Sequence, residues 1–175
     1  MKKDNNLVYQ EIQRPRQIWI WLPLLLCAGI MWYLFIQQII FGVPVGNNPA
    51  PDLFMIIFWF IFGVFIPIFT LGIKLVVEVR HDGIYVRFYP FPYKRFLFKD
   101  MNSYESITYN SIKRFGGWGL RINMNGEKAY NIYGNKGMKL KLKYETVVIG
   151  TQKPEALEAA IQTVFNRQSS DQIKV

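Results

Sequence analysis

The sequence predicts a membrane-spanning α-helical hairpin followed by an all-β domain that one C-terminal helix completes. Three observations predict it. Residues 18–36 and 53–73 carry no charged side chain, and Thr70 is the only hydroxyl of the second run. From Lys74 onward apolar residues recur at every second position, the period of a strand. From Pro154 the apolar spacing becomes helical.

Both apolar runs are long enough to cross a bilayer. A helix rises about 1.5 Å per residue, so about 20 residues span a hydrocarbon core of roughly 30 Å. The helices are expected over about 18–40 and 53–73, joined by a short external loop at 42–52. Trp19, Trp21, Trp32 and Tyr33 fall where interfacial anchors belong. Trp59, inside the second run, is expected to pack against the partner helix. Pro23 lies one turn inside the first helix, where proline is tolerated. Gly63, Pro67 and Gly72 permit a bend or a close helix contact. Neither run contains Asp, Glu, Lys, Arg or His, so nothing marks an ion or proton pathway. A cleaved secretory signal fits less well, because the first run exceeds the usual signal core and no small-x-small site follows clearly.

Charge orients the hairpin. Residues 1–16 hold four basic and two acidic side chains, a net of +2. The loop holds Asp52 alone, and the chain from Lys74 holds 17 basic and nine acidic, a net of +8. Basic flanks stay cytoplasmic, so both termini are expected inside the cell membrane and the loop outside. Cys27 is the single cysteine, which rules out a disulfide within the chain.

Residues 1–16 read as a polar, basic cytoplasmic segment, disordered or lying along the headgroups. After Lys74, Leu75, Val77 and Val79 alternate with polar neighbours up to a turn at His81-Asp82-Gly83; Ile84, Val86 and Phe88 then alternate back. Pro90-Phe91-Pro92 breaks this strand, which resumes at 94–98. Further strands are expected at 103–109, 120–124, 128–132, 138–143 and 146–151, with turns at 116–119, Asn125-Gly126 and 134–137. Pro154 opens a helix, and Leu157, Ala160, Ile161 and Val164 form its apolar stripe. The domain is expected over 74–167 with a flexible tail at 168–175. Almost no linker separates residue 73 from the first strand, so the domain is expected directly against the inner membrane face.

The segments VEVRHDGIYVRF at 77–88, RFGGWGLR at 114–121 and VVIGTQKPEALEAAI at 147–161 carry a resemblance. About seven antiparallel strands capped by a C-terminal helix resemble the pleckstrin-homology-like barrel, and two spans ahead of it resemble small prokaryotic membrane proteins with bacterial domains of that kind. The resemblance implies a binding or assembly module. Phosphoinositide-binding relatives carry several basic residues between their first two strands; here that connection is Arg80-His81-Asp82-Gly83, so such recognition does not carry over.

Candidate contact residues form two basic groups and one aromatic. Lys139, Lys141 and Lys143 alternate with Leu140 and Leu142 on one strand; Arg87, Lys94, Arg95 and Lys99 form the second group. Near an anionic leaflet each cation contributes on the order of 1 kcal/mol. Trp118 sits in Gly116-Gly117-Trp118-Gly119, which looks like a phosphate loop but leads into a strand instead of a helix. A tight turn that presents Trp118 is the expectation there. His81 beside Asp82 is expected to be turn chemistry. The sequence shows no nucleophile arrangement, cofactor motif or metal set, so no enzymatic activity, cofactor or metal is expected. Membrane lipids and a protein partner, or a second copy of the chain, are the expected partners, and nucleic acid is not. A lipid-headgroup sensor and an accessory subunit of a membrane enzyme or transporter are the alternatives.

Overall fold

The structure, a computed structural model, describes residues 6–172. The chain divides into two compact units: Pro15–Ile73, and Met1–Arg14 together with Lys74–Val175. The charges of Lys2, Lys3 and Asp4 lie outside the described residues.

The first unit is the apolar hairpin. Helix α1 (Ile18–Phe35) continues through a π-type turn at Ile36–Ile40; α2 (Asp52–Phe58) passes through a π-type stretch at Trp59–Phe65 into α3 (Ile66–Gly72). The two continuous helices, Ile18–Ile40 and Asp52–Gly72, are 23 and 21 residues long, and only 6% of the most apolar window of each is buried. Such uncovered surface distinguishes them from the core helices of a soluble domain, which hide their apolar faces. Trp59 packs on the partner helix as expected, stacked on Phe35 at 4.1 Å between ring centroids and edge-on to Trp32 at 5.1 Å. A π-type stretch loosens the regular ladder, and the Trp32 indole donates to the Gly63 carbonyl there at 3.1 Å. A Cβ on Gly63 would lie 3.1 Å from Trp59 Cδ1, so glycine permits this contact. At the loop end the Gln38 amide donates to the Ala50 carbonyl (2.6 Å) and the Asp52 carboxylate (2.8 Å). Thr70 donates back to the Ile66 carbonyl, so the one hydroxyl of the second helix is satisfied.

The second unit holds two sheets. β1 (Leu7–Gln13), β2 (Lys74–Arg80), β3 (Gly83–Tyr89) and β4 (Lys94–Leu97) form an antiparallel sheet in that order. The other sheet comprises β5 (Met101–Thr108), β6 (Gly119–Ile122), β7 (Lys128–Asn131), β8 (Lys136–Leu142) and β9 (Thr146–Gly150), ordered β5-β8-β9-β7-β6. Within it β7 and β9 run parallel. A short helix, α4 (Ser111–Phe115), follows β5, and α5 (Pro154–Gln172) closes the chain.

Alternation explains the core. Leu75, Val77 and Val79 of β2 lie opposite Phe88, Val86 and Ile84 of β3; the three β2 residues are fully buried, as are Met138, Leu140, Val147 and Ile149 of the second sheet. Helix α5 packs on β8 and on β1 and β2, and its expected stripe of Leu157, Ala160, Ile161 and Val164 is buried. Each of the larger side chains (Leu, Ile, Val) contributes about 1.5–3 kcal/mol on burial. The helix runs through Gln172, past the start of the expected tail at 168; residues 173–175 lie outside the described residues.

Four expectations change. The sheets share no paired strand, so the β+α unit is not a closed barrel: the chain turns the corner between them at a 3-10 turn, Phe98–Asp100. Nine strands are present among the described residues instead of about seven, because the N-terminal segment is neither free nor laid along headgroups. It forms β1, paired with β2 from Leu7↔Arg80 to Gln13↔Leu75. The third change is α4, absent from the sequence reading. The expected Asp-Gly turn is also shifted by one: Arg80 pairs with Gly83, leaving His81 and Asp82 as the loop. Gly83 is needed by the neighbouring strand, since a Cβ there would lie 2.4 Å from the Phe96 carbonyl oxygen.

Candidate functional site

The structure distributes the candidate contact residues over both sheets. Lys139 and Lys141 occupy alternate positions of β8 and Lys143 follows its end, but acids meet two of them: Lys139 lies 3.5 Å from Glu127 and Lys143 lies 3.6 Å from Asp100. Lys141 is exposed, with no carboxylate at ion-pair distance among the described residues. Glu127 is a charge hub that accepts two hydrogen bonds at 2.9 Å from Arg114 and one at 2.8 Å from Asn123. Burial alone would raise its carboxyl; these bonds and the two nearby cations outweigh it and hold the group below its ordinary value. Two of the three lysines therefore have an acid beside them, and Glu127 is shared with Arg114.

Trp118 lies in a turn, as expected. Gly116, at φ +72°, ends α4, and Gly117 stands at φ +137°, a region that disfavours any side chain. The amides of Gly116 and Gly117 bond the carbonyls of Ile112 and Ser111, and the Gly119 amide bonds the Asn131 side-chain oxygen at 2.9 Å. Amides already used cannot cradle a phosphate. Asn131, fully buried, also donates to Tyr109 and Ser111 (3.1 and 3.2 Å), while the Trp118 indole reaches the Gly134 carbonyl at 3.5 Å. Tyr109 and Phe115 cover Ala129 and Val148, a small second core that α4 builds outside the sheet. His81 and Asp82 form a turn in which Asp82 accepts the Tyr85 hydroxyl at 2.6 Å, and no metal-holding group of acids, His or Cys exists among the described residues.

A groove of about 630 Å³ between β4 and the β8–β9 turn brings Arg95 of the second basic group to Lys143 of the first. Acids line it too: Lys128 is ion-paired with Glu145, and that hydrogen bond raises the Lys128 ammonium. Lys94 lies on edge strand β4 and Lys99 in the 3-10 turn, both exposed.

The outward side of the first sheet is different. Its β2 and β3 positions are Lys74, Val76, Glu78 and Arg80 opposite Tyr89, Arg87, Tyr85 and Gly83. Glu78 is 5% exposed and accepts from Arg80 (2.6 Å), Gln10 (2.9 Å) and Tyr93 (3.0 Å). Burial opposes its ionisation, yet these hydrogen bonds prevail and hold the carboxyl below its ordinary value. Burial and the bond to Glu78 push the Tyr93 phenol up. Arg80 lies over the Tyr85 ring at 4.4 Å. Arg87 lies 5.2 Å from the Tyr89 centroid and 5.4 Å from that of Tyr93, and it donates to the Phe91 carbonyl at 3.1 Å. Lys74 approaches the same Tyr89 ring at 5.3 Å. Neither Lys74 nor Arg87 has a carboxylate at ion-pair distance among the described residues. The sequence reading included Arg87 but missed Lys74, Tyr89 and Tyr93, because the Pro90-Phe91-Pro92 turn that gathers them looked only like a strand break.

Over residues 1–166 the chain matches the model of a family of unknown function, DUF6141. No curated protein and no solved structure matches it. The matched span takes in β1, both apolar helices and the two sheets, and the chain belongs to this family.

Proposed function

We propose that this family member is a non-catalytic integral membrane protein that holds a binding module at the cytoplasmic face of the cell membrane for protein assembly. The observation that carries the reading is the pairing of β1 with β2. These strands flank the hairpin in sequence, and a ladder between them requires both to lie on the same side of a bilayer. Two crossings satisfy that requirement; one does not. The uncovered apolar helices support insertion, and the net of +8 beyond Lys74 supports the cytoplasmic side. A two-sheet unit ended by a packed C-terminal helix supports a variant, unclosed pleckstrin-homology-like architecture, which is a scaffold for binding.

Cysteine accessibility tests the placement. In a Cys27→Ala background, Asn48→Cys should react with an impermeant thiol reagent in intact cells, whereas Tyr144→Cys, at a position 95% exposed, should react only after lysis. The reverse pattern sinks the cytoplasmic reading. For the assembly role, the full chain purified in gentle detergent should bring a stoichiometric protein partner or a second copy of itself. A chain that purifies alone as a monomer overturns it.

A further inference from the structure

The Tyr89–Tyr93 turn carries more exposed aromatic surface than a strand connection needs. Tyr89 is 38% exposed, Phe91 55% and Tyr93 39%. The turn is also firmly built: the Phe91 amide donates to the Phe88 carbonyl at 2.8 Å, and the Phe91 carbonyl receives Arg87. Proline on either side of Phe91 restricts the backbone further. Beside it, Lys74 and Arg87 converge on one ring, Tyr89, with no acid to separate them. Like charges gathered around one aromatic without a carboxylate are complementary to an anion.

Chain connectivity limits how far this turn can lie from the end of α3. Helix α3 ends at Gly72, and β2 begins at Lys74. Two residues extend about 7 Å, and paired antiparallel residues lie about 4.5–5.5 Å apart, so the Tyr89 Cα stands within about 13 Å of the helix end. Leu71, at the end of that helix, is still apolar and exposed. If α3 crosses the bilayer, this short tether keeps the turn within reach of the headgroups. Aromatic side chains with a polar tip favour that zone, and cations there meet lipid phosphates.

We propose that the Tyr89–Tyr93 turn is an interfacial anchor for anionic phospholipid: Phe91 enters the acyl boundary, while Arg87 and Lys74, presented around Tyr89, pair with headgroup phosphates. This rests on the membrane reading above and adds the site and its ligand class. Arg87 suits the role because two rings and one carbonyl hold its guanidinium in place while leaving other N–H donors for phosphate.

The test uses the full chain in lipid nanodiscs with a small thiol-reactive fluorophore and brominated lipids as quenchers. Three single-cysteine chains are compared: the native Cys27, and Phe91→Cys and His81→Cys in a Cys27→Ala background. The last site lies at the other end of β3, about 20 Å away by strand rise. We expect strong quenching at Cys27, clear quenching at position 91 in discs containing phosphatidylglycerol, and little at position 81. Arg87→Gln and Lys74→Gln should each weaken phosphatidylglycerol retention in zwitterionic discs roughly fivefold, as the loss of one interfacial cation implies. Lys141→Gln should leave retention unchanged, and added glycerol phosphate should not compete if the lipid surface, not free phosphate, is the ligand. No quenching at Cys27 removes the membrane reading and this site with it. Quenching at Cys27 with none at position 91, or with positions 81 and 91 quenched equally, removes this site alone.

Discussion

Glu11 shows how much one polar residue contributes to this fold. It is 7% exposed, and among the described residues no cation balances it. Its carboxylate accepts the Thr151 hydroxyl at 2.6 Å, the Gln152 amide at 2.8 Å and the Tyr9 hydroxyl at 3.0 Å. Thr151 and Gln152 lie just ahead of α5, where the helix dipole favours a negative charge. Burial and this carboxylate push the Tyr9 phenol well above its ordinary value. Glu11→Ala leaves a buried amide and hydroxyl without an acceptor, so we expect a loss of about 2–4 kcal/mol, read as a lowered melting temperature of the full chain, with Glu11→Gln milder. Glu78 makes a pH prediction. Its folded carboxyl titrates below its ordinary value, so its contribution is complete above the unfolded pKa and fades as pH falls through the folded one. Between about pH 5 and pH 3 the parent should lose stability more steeply than Glu78→Gln, a difference that melting curves across this range would show.

At the scale of elements, the unit beyond Lys74 is incomplete without β1. Besides its ladder on β2, β1 supplies Gln13, which donates to the Gly150 carbonyl at 2.8 Å. A fragment of residues 74–175 therefore exposes the edge of β2 and leaves the Thr151–Gln152 corner without its acceptor; it should aggregate or remain poorly ordered. Because Gln13 pairs with Leu75, Arg14 and Lys74 are adjacent, and an Asn-Gly turn can replace Pro15–Ile73. We expect that shortened chain to be water-soluble, with dispersed amide NMR signals; an unfolded product would count against the two-unit division. The same element marks the limit of what the sequence discloses. β2, β3, β8 and β9 are legible because their inward residues are apolar at period two. β1 is not, since its buried positions are Glu11 and Gln13, and their partners lie 140 and 137 residues away. Helix α4 had its signals, the Asn110 cap that accepts from Ile112 and Lys113 and the Gly116 terminator, but five residues between them show no period. The basic stripe at 139–143 was legible as a pattern; the approach of Glu127 and Asp100 to it was not, because those acids arrive from the turn before β7 and from the 3-10 turn.

For the whole molecule, the hairpin is an insertion between the first and second strands of one domain. Two short connections therefore attach the two-sheet unit: residues 14–17 on one side and Ile73 on the other. Inserting about ten Gly/Ser residues after Ile73 would permit an excursion of roughly 16–19 Å from that point alone. The second connection remains, so we expect association with partner or lipid to survive this single insertion. It should fall only when residues 14–17 are lengthened as well, which co-purification and lipid retention would measure. Loss from the single insertion alone would show that the Ile73 junction itself acts. Synthesis imposes a related order: β1 leaves the ribosome early and cannot pair until the hairpin and β2 have followed, which makes completion of this domain a late, long-range event.

The ladder between β1 and β2 also has a mechanical sense. Both chains leave it at the same end, Gln13 opposite Leu75, so any force that spreads the two helix ends pulls the strands apart as a zipper opens, one rung at a time, instead of shearing many rungs together. That is the compliant direction for a β-ladder. The first interactions to take the load are those of Gln13, including its bond to the Gly150 carbonyl next to α5. If the hairpin crosses a bilayer as proposed, a change in bilayer thickness that tilts or splays the helices would load that rung first.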